Sequence, residues 1–293
     1  MQENTMTLRD GRTLGYDVYG DRQGVPLILL HGTPGSRVWF LEDDETAKKL
    51  GVYLIATDRP GYGLSSALKN RTLLDYANDI EQLANHLNLD TFALLGVSGG
   101  GAFAAAIAHR LQERVTVCNL VSTATPFING KPSKYMAKEN RIAFFLSKYL
   151  PFIIKLSSKA QKKMIDTNPE KFKEMMKKSG SHLAKWDNDL LQRDDILDTT
   201  VVHNAQAYRQ GVDEVIYESN LLAKDWGFTV EDIDVPVNIW HGEKDTLSPI
   251  EEVKLLAQKI PHCQTYYIPE AGHFLTEHDE LWERMLATVI ERR

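Results

Sequence analysis

The chain has 293 residues, of which 43% are hydrophobic and 25% are charged, and its formal net charge is −6. These proportions are those of an ordinary globular protein and exclude a disordered or fibrous chain. The acidic balance also argues against nucleic acid as a partner, because binding to phosphate backbones requires a strongly basic face.

The amino-terminal segment and the two cysteines narrow the expectation further. The first residues lack the apolar core of a signal peptide, and no apolar run approaches the roughly 20 residues of a membrane span. Cys118 and Cys263 lie far apart and form no metal-ligand spacing. We therefore expect a cytoplasmic protein without a disulfide framework.

Predicted strands and helices alternate along the first part of the chain. Residues 6–19 predict a β-hairpin around Asp10-Gly11, a dipeptide that accepts the positive φ of a tight turn. After it, the strand-like runs VPLILLH, YLIATD, TFALLGV and VTVCNLVS alternate with segments of helical spacing, including DYANDIEQLANHLNL and GAFAAAIAHRL. This alternation predicts an α/β fold with a mostly parallel sheet and helices on both faces.

The alternation stops after Thr125-Pro126 and resumes at VPVNIWHG. The segment in between predicts several helices: one from about 133 to 150 ended by Pro151, one from Asn168-Pro169 to Gly180, and two separated by Gly211.

We call residues 127–226 the helical insertion and predict that it forms a cap. The core would then consist of residues 1–126 and 227–293. Its second part contains the strands VNIWHG and TYYIP, a helix from about Pro249 and a final helix from about Phe274.

The sharpest chemical signal lies between a predicted strand and a predicted helix. Gly96-Val97-Ser98-Gly99-Gly100 fits the pattern G-x-S-x-G. In this context a tight turn holds the serine hydroxyl above the sheet edge, at a helix N-terminus that favours developing negative charge. Ser98 is therefore the predicted nucleophile, and a purely structural glycine-serine turn is the alternative.

Ser98 needs a base, because a hydroxyl is a weak nucleophile until a neighbour takes its proton. We favour His273, which follows the last predicted strand in the loop PEAGHF at the sheet edge that displays Ser98. His278, at the acidic start of the final helix, is the alternative.

The acid that orients the base should come from a strand end between the serine and the histidine in chain order. The loop HGEKD after VNIW offers Glu243 and Asp245. We favour Asp245, which lies further round the turn, and keep Glu243 as the alternative.

A glycine-rich loop after the first buried strand supplies the remaining part of the predicted site. An oxyanion hole needs two backbone N–H groups, one from the residue after the nucleophile, here Gly99, and one from this loop, HGTPGS. Thr33 is our candidate for the second donor, because Pro34 has no N–H. A structural turn would explain the glycines of the loop equally well.

Five motifs together carry a family resemblance. HGTPGS, DRPGYGLS, GVSGG, HGEKDTLSP and GHF, in this order, resemble the α/β-hydrolase superfamily, specifically its cap-bearing branch of small-molecule esterases and peptidase-like enzymes. The resemblance covers nearly the whole chain. It implies a triad of Ser98, Asp245 and His273, with Thr33 and Gly99 in the oxyanion hole.

Other branches of the superfamily match less well. Dehalogenases and epoxide hydrolases resemble this architecture but use aspartate where this chain has Ser98. Proline iminopeptidases look similar in the core, yet they often carry an aromatic residue at the position of Gly99.

The predicted activity is hydrolysis of a small carboxylic ester through an acyl-Ser98 intermediate, with a small-molecule substrate and no metal or organic cofactor. Phe144, Phe145 and Phe152 of the helical insertion are the candidates for an apolar substrate pocket. The alternatives are a ligand-binding or signalling protein on a hydrolase scaffold, and a peptidase, perhydrolase or lyase that uses the same triad.

One stretch of the helical insertion has two interpretations. RIAFFLSKYLPFIIKL is strongly apolar and is followed by the lysine-rich segments SSKAQKK and KFKEMMKK. An amphipathic basic helix can lie on an anionic membrane surface, whereas a cap helix packs its apolar face over the active site. We expect the packed helix, and hence no membrane contact, because the apolar face has a sheet domain to cover.

Overall fold

An eight-stranded sheet forms the centre of the computed structural model, which describes residues 3–127 and 130–291. The strands are β1 (Asn4–Thr7), β2 (Thr13–Gly20), β3 (Val25–Leu30), β4 (Val52–Thr57), β5 (Phe92–Val97), β6 (Val115–Val121), β7 (Val237–Gly242) and β8 (Cys263–Ile268). Their order is β1-β2-β4-β3-β5-β6-β7-β8. β2 pairs antiparallel with both β1 and β4, and the remaining neighbours pair parallel. The predicted α/β fold with a mostly parallel sheet is confirmed.

Helices cover both faces of the sheet. The α-helices are α1 (Asp44–Leu50), α2 (Asp75–His86), α3 (Gly99–Arg110), α4 (Lys138–Tyr149), α5 (Pro151–Thr167), α6 (Pro169–Ser179), α7 (Lys185–Leu190), α8 (Asp194–Ala207), α9 (Asp213–Leu222), α10 (Ile250–Ala257) and α11 (Asp279–Ile290). Successive side chains of a strand point to opposite faces of the sheet. Ile28 and Leu30 of β3 therefore pack with α2, α3 and α10, whereas Leu27 and Leu29 pack with α1 and α11.

Between β6 and β7 the described residues form helices and connecting segments, with no strand. Part of the helical insertion has an apolar cluster of its own, made by Ile165, Phe172, Tyr208 and Val212. Its last helix, α9, instead contributes Leu222 to the main core. Residues 128 and 129 of the insertion lie outside the described residues, and its boundaries stay a prediction.

Several helix boundaries differ from those predicted. Pro151 does not only end a helix but begins α5, because its fixed φ and missing N–H suit the first turn. α4 begins at Lys138 rather than near residue 133, and the short helix α7 was not predicted. α11 begins at Asp279 rather than near Phe274, because residues 275–277 form a separate 3-10 turn.

The apolar stretch RIAFFLSKYLPFIIKL forms α4, the connecting Leu150 and the start of α5. Seven of its large apolar side chains are exposed: Ile142, Phe145, Tyr149, Leu150, Phe152, Ile153 and Leu156. The expectation that this stretch packs its apolar face over the core is wrong for these side chains. α4 packs against α5 and α9, and α5 also packs against α6, α8 and α9, whereas the side that carries these exposed side chains stays open.

No helix among the described residues is long and apolar enough to cross a lipid bilayer.

Candidate active site

Ser98 lies in the turn between β5 and α3. Its backbone has φ 54° and ψ −119°, a conformation that L-residues rarely adopt. The turn needs small neighbours, because a Cβ at Gly96 would collide with the backbone of Gly100, and one at Gly100 would collide with the carbonyl of Leu30. The turn therefore presents the Ser98 side chain at the carboxyl edge of the sheet and at the N-terminus of α3.

His273 and Asp245 form a hydrogen-bonded pair at the same edge. Asp245 follows β7 and His273 follows β8, which are neighbouring parallel strands. Nδ1 of His273 lies 2.7 Å from Oδ2 of Asp245, and both side chains are buried. The other carboxylate oxygen accepts the backbone N–H groups of Leu247 at 2.8 Å and Ser248 at 2.9 Å. The carboxylate is thus held in place while it orients the imidazole.

The charges of this pair depend on one another. Burial disfavours the charged carboxylate, but His273 and a backbone N–H more than offset it, so the pKa of Asp245 lies below its ordinary value. Burial also disfavours the charged imidazole, but Asp245, together with Asp187, more than offsets it, so the pKa of His273 lies above its ordinary value. With Nδ1 bound to the carboxylate, Nε2 is the nitrogen left to exchange a proton.

The two alternatives lie elsewhere. Glu243 is exposed, and no hydrogen bond joins it to His273 among the described residues. The ring of His278 stacks on Trp186, with 5.1 Å between the ring centroids. The geometry therefore favours Asp245 and His273 over Glu243 and His278.

Thr33 and Gly99 lie against each other beside Ser98. A Cβ at Gly99 would collide with the side chain of Thr33, and a Cβ at Gly32 would lie 3.6 Å from Cβ of Ser98. Gly99 is the first residue of α3, so its backbone N–H has no acceptor within the helix. The N–H of Gly99, beside the loop of Thr33 and the Ser98 side chain, suits an oxyanion hole, and the role of Thr33 and Gly99 in it stays a prediction.

A cavity of about 470 Å³ joins the core to the helical insertion. From the core it is lined by Thr33, Ser98, Gly99 and His273, and from the insertion by apolar side chains that include Phe144, Met176 and Ile196. Trp39 and His203 form part of its wall as a stacked pair, with 4.4 Å between the ring centroids. Four of the five predicted site residues of the core therefore face one cavity, and the fifth, Asp245, contacts it only through its hydrogen bond to His273.

Only one of the three predicted substrate side chains faces this space. Phe144 lines the cavity, whereas Phe145 is 57% exposed, Phe152 is 66% exposed, and neither is among the described residues that line it. Neighbouring residues of a helix point about 100° apart, and here Phe144 points into the cavity while Phe145 points towards the surface. This placement corrects the prediction for Phe145 and Phe152.

A family model described as alpha/beta hydrolase fold matches residues 25–279. The chain belongs to the α/β-hydrolase family. Among relatives of this α/β-hydrolase, a proline iminopeptidase from Clostridium botulinum is 26% identical over 280 residues, which cover 92% of this chain and 91% of that protein. A pimeloyl-[acyl-carrier protein] methyl ester esterase from Vibrio parahaemolyticus is 26% identical over 265 residues, covering 88% and 91% of the two chains.

Solved structures agree with this family at the level of the fold. An esterase from Exiguobacterium antarcticum is similar with a TM-score of 0.72 and 21% identity, over 99% of this chain and 100% of that one. The family and these relatives together support a hydrolase.

Glu218 on α9 is a buried carboxylate that the sequence analysis missed. Its Oε1 accepts hydrogen bonds from Thr33 Oγ1 and Arg59 Nη2, each at 2.6 Å, and its Oε2 accepts one from Arg59 Nε at 3.0 Å. Arg59 also donates to the backbone carbonyls of His31 and Gly32. Burial alone would raise the pKa of Glu218, but Arg59, with a smaller contribution from Arg71, holds it below its ordinary value. This α/β-hydrolase thus ties its insertion to the loop that carries Thr33.

We predict that Glu218→Gln lowers the free energy of unfolding by about 3–5 kcal/mol, because the Arg59 charge would remain buried without its partner. Glu214→Gln is the matched control. Glu214 lies on the same helix as Glu218 and pairs with Arg71, but 12% of its side chain is exposed. Urea denaturation measures both losses, and the control should lose less. Equal losses would show that full burial of Glu218 adds nothing to its pairing with Arg59.

Asp187 on α7 is a second carboxylate of the α/β-hydrolase that the sequence analysis missed. Its buried side chain accepts the backbone N–H of Phe274 at 3.0 Å, directly after His273. A Cβ at Gly272 would collide with the carboxylate, so this loop needs glycine there. Burial raises the pKa of Asp187, although hydrogen bonds from the loop oppose this. The insertion therefore contacts the loop of His273 as well as the loop of Thr33.

Proposed function

We propose that this α/β-hydrolase is a serine hydrolase that cleaves small carboxylic esters. The observation that carries the proposal is that Ser98 and His273 line one cavity while His273 is bonded to the buried Asp245. His273 takes the proton of the Ser98 hydroxyl as its oxygen attacks the ester carbonyl, and then returns this proton to the departing alcohol. The same imidazole activates a water molecule that cleaves acyl-Ser98.

The oxyanion of each tetrahedral intermediate is stabilised by the backbone N–H groups of Thr33 and Gly99. Preorganised donors of this kind act most strongly in a site that excludes water. Glu218 supports them, because it accepts a hydrogen bond from the Thr33 hydroxyl and binds Arg59, which donates to the carbonyl of Gly32. A cytoplasmic location stays a prediction from the amino-acid sequence.

The side chains that line the cavity favour an ester substrate with an apolar group. Its volume of about 470 Å³ suits a small ligand, and Phe144, Met176, Ile196, Val215 and Leu222 all line it. An apolar lining of this kind favours a short acyl or alcohol chain over a charged one.

A peptidase is the second candidate, because one carboxylate also reaches the cavity. Glu277 lines it, and its Oε1 accepts a hydrogen bond from Trp39 Nε1 at 3.2 Å. A carboxylate at this place could bind the amino group of a peptide substrate.

A substrate panel separates these functions. Wild-type kcat/KM is measured on nitrophenyl esters of increasing acyl length, on a lactone and on amino-acyl nitroanilides, alongside labelling by a fluorophosphonate. We expect labelling and the highest kcat/KM on short esters. Preference for the nitroanilides would identify a peptidase, and labelling without turnover of any substrate would identify a binding protein on a hydrolase scaffold.

We predict that Phe144→Ala shifts the preferred acyl chain to a longer one, because loss of this ring enlarges the cavity at its wall. Phe145→Ala is the matched control, since it removes the same ring from the neighbouring, exposed position. The profile of kcat/KM against acyl length should change only for Phe144→Ala. If that variant instead melts earlier with an unchanged profile, Phe144 serves packing alone, for which a cost of about 3–5 kcal/mol is typical.

A further inference from the structure

Exposed apolar side chains are concentrated on one part of the helical insertion. Seven of the nine large hydrophobic side chains exposed among the described residues lie between Lys138 and Thr167. We call these seven the apolar surface: Ile142, Phe145, Tyr149, Leu150, Phe152, Ile153 and Leu156. The rings of Phe145 and Tyr149 contact each other, with 4.8 Å between their centroids. Clustered apolar exposure of this kind marks an interaction site, whereas isolated apolar side chains do not.

The segment that carries the apolar surface has a formal charge opposite in sign to that of the whole chain. Residues 138–167 contain seven Lys or Arg and two Asp or Glu, a formal charge of +5, whereas the chain carries −6. Lys148 lies beside the apolar surface, with its Nζ 5.3 Å from the centroid of the Tyr149 ring. Lysine side chains next to apolar groups can lay their methylene stems on them while the ammonium groups reach outwards.

A surface groove of about 1100 Å³ borders the same region. Its apolar lining includes Ile142, Phe145 and Tyr149. Its cationic lining consists of Lys131, Lys138, Arg141, Lys148 and Lys224, and Asp225 is the one acidic side chain among its described lining residues. The groove therefore combines apolar contact with positive charge, which suits an anionic amphiphile.

We propose that the apolar surface docks on a membrane surface that contains anionic lipids. Aromatic and aliphatic side chains would enter the boundary between headgroups and acyl chains, and the lysines would contact the headgroups. A second copy of the chain fits less well. A symmetric dimer places the same patch against itself, so the +5 segments would face each other.

Docking through the apolar surface would not involve the candidate catalytic residues. Phe127 and Phe144 line both the groove and the cavity of Ser98, and their rings contact each other at 4.8 Å between centroids. The docked surface thus adjoins the cavity but contains neither Ser98 nor His273. Membrane binding is consequently measurable without any assay of hydrolysis.

Sedimentation with lipid vesicles tests the proposal. The full chain is mixed with vesicles of phosphatidylglycerol or of phosphatidylcholine, at low salt and at about 1 M salt, where screening is strong. We expect binding to phosphatidylglycerol that weakens at high salt, and much weaker binding to phosphatidylcholine. The double variant Tyr149→Ser, Leu156→Ser should bind at least about tenfold less tightly, since two inserted apolar side chains are lost. Lys159 is exposed on α5, three residues after Leu156, and Lys148→Gln with Lys159→Gln should lower affinity for phosphatidylglycerol alone.

Two control variants make the same kinds of substitution on other parts of the protein surface. Leu255→Ser removes an apolar side chain that is 49% exposed on α10, and Lys49→Gln removes a cation whose side chain is 71% exposed on α1. Both should bind vesicles like the wild type, and circular dichroism should show that every variant stays folded. Absence of wild-type binding to phosphatidylglycerol overturns the proposal. Unchanged vesicle binding by the double variant Tyr149→Ser, Leu156→Ser also overturns it. So does a wild-type dimer in solution that this double variant converts to monomer.

Discussion

Ser98→Ala is expected to abolish labelling by a fluorophosphonate and to lower kcat on a short ester by about 10⁶-fold, the size of loss seen when a triad nucleophile is removed. The alanine variant keeps the cavity and the backbone N–H groups of Thr33 and Gly99. A residual rate of roughly 10³ to 10⁴ above the reaction in water should therefore remain. Intact-protein mass spectrometry detects the label, and turnover of the same ester gives kcat.

Ser219→Ala is the matched control for that experiment. Ser219 lines the same cavity, but its hydroxyl donates to the backbone carbonyl of Val215 at 2.7 Å. It should keep both labelling and turnover. If Ser98→Ala hydrolyses the ester nearly as fast as the wild type, the acyl-serine mechanism is wrong. Melting temperatures of both variants should stay close to that of the wild type.

Asp245→Asn is expected to lower kcat/KM by about 10⁴-fold, because an amide at this position favours the wrong tautomer of His273 and no longer stabilises its charged form. Glu243→Gln is the matched control two residues away, on an exposed side chain. It should be close to the wild type in kcat/KM. The reverse ranking would transfer the role to Glu243, and mild losses in both would leave His273 without an identified acid.

The pH dependence provides a second readout of Asp245. His273 acts as a base only when it is neutral, so kcat/KM should rise with pH through the pKa of His273. Burial lowers this pKa, and Asp245, with a smaller contribution from Asp187, raises it by more. Asp245→Asn should accordingly move the rising limb to lower pH while it lowers the plateau. A limb that stays in place would show that Asp245 does not interact with the titrating group.

Elements with strong local patterns were predictable from the amino-acid sequence. The continuous apolar run of β3 indicates a strand covered on both faces, and the glycines around Ser98 indicate a tight turn at a strand end. The placement of Asp245 and His273 also follows from chain order, because loops after parallel strands meet at one edge of the sheet.

Side chains whose role depends on tertiary packing were not predictable. Asp187 and Glu218 lie in helices rich in polar residues, where a carboxylate is ordinarily solvated. Their burial depends on Phe274 and Arg59, which are distant in the sequence. The choice between Phe144 and Phe145 depends on how α4 is rotated about its axis, and five consecutive apolar residues, IAFFL, do not indicate that rotation.

The contact between Glu218 and Arg59 has a consequence for protein engineering by exchange of segments. A chimera that receives the whole helical insertion from a relative without a carboxylate at the position of Glu218 would leave Arg59 buried against the carbonyls of His31 and Gly32 without a counter-ion. The same chimera would alter the partner of the Thr33 hydroxyl. If the donor segment ends before Asp213, the chimera keeps both α9 and the core from this chain, so Glu218 stays paired with Arg59. Exchanges of specificity between relatives should therefore place the downstream junction at Gly211, in the connection between α8 and α9, rather than at the end of the insertion.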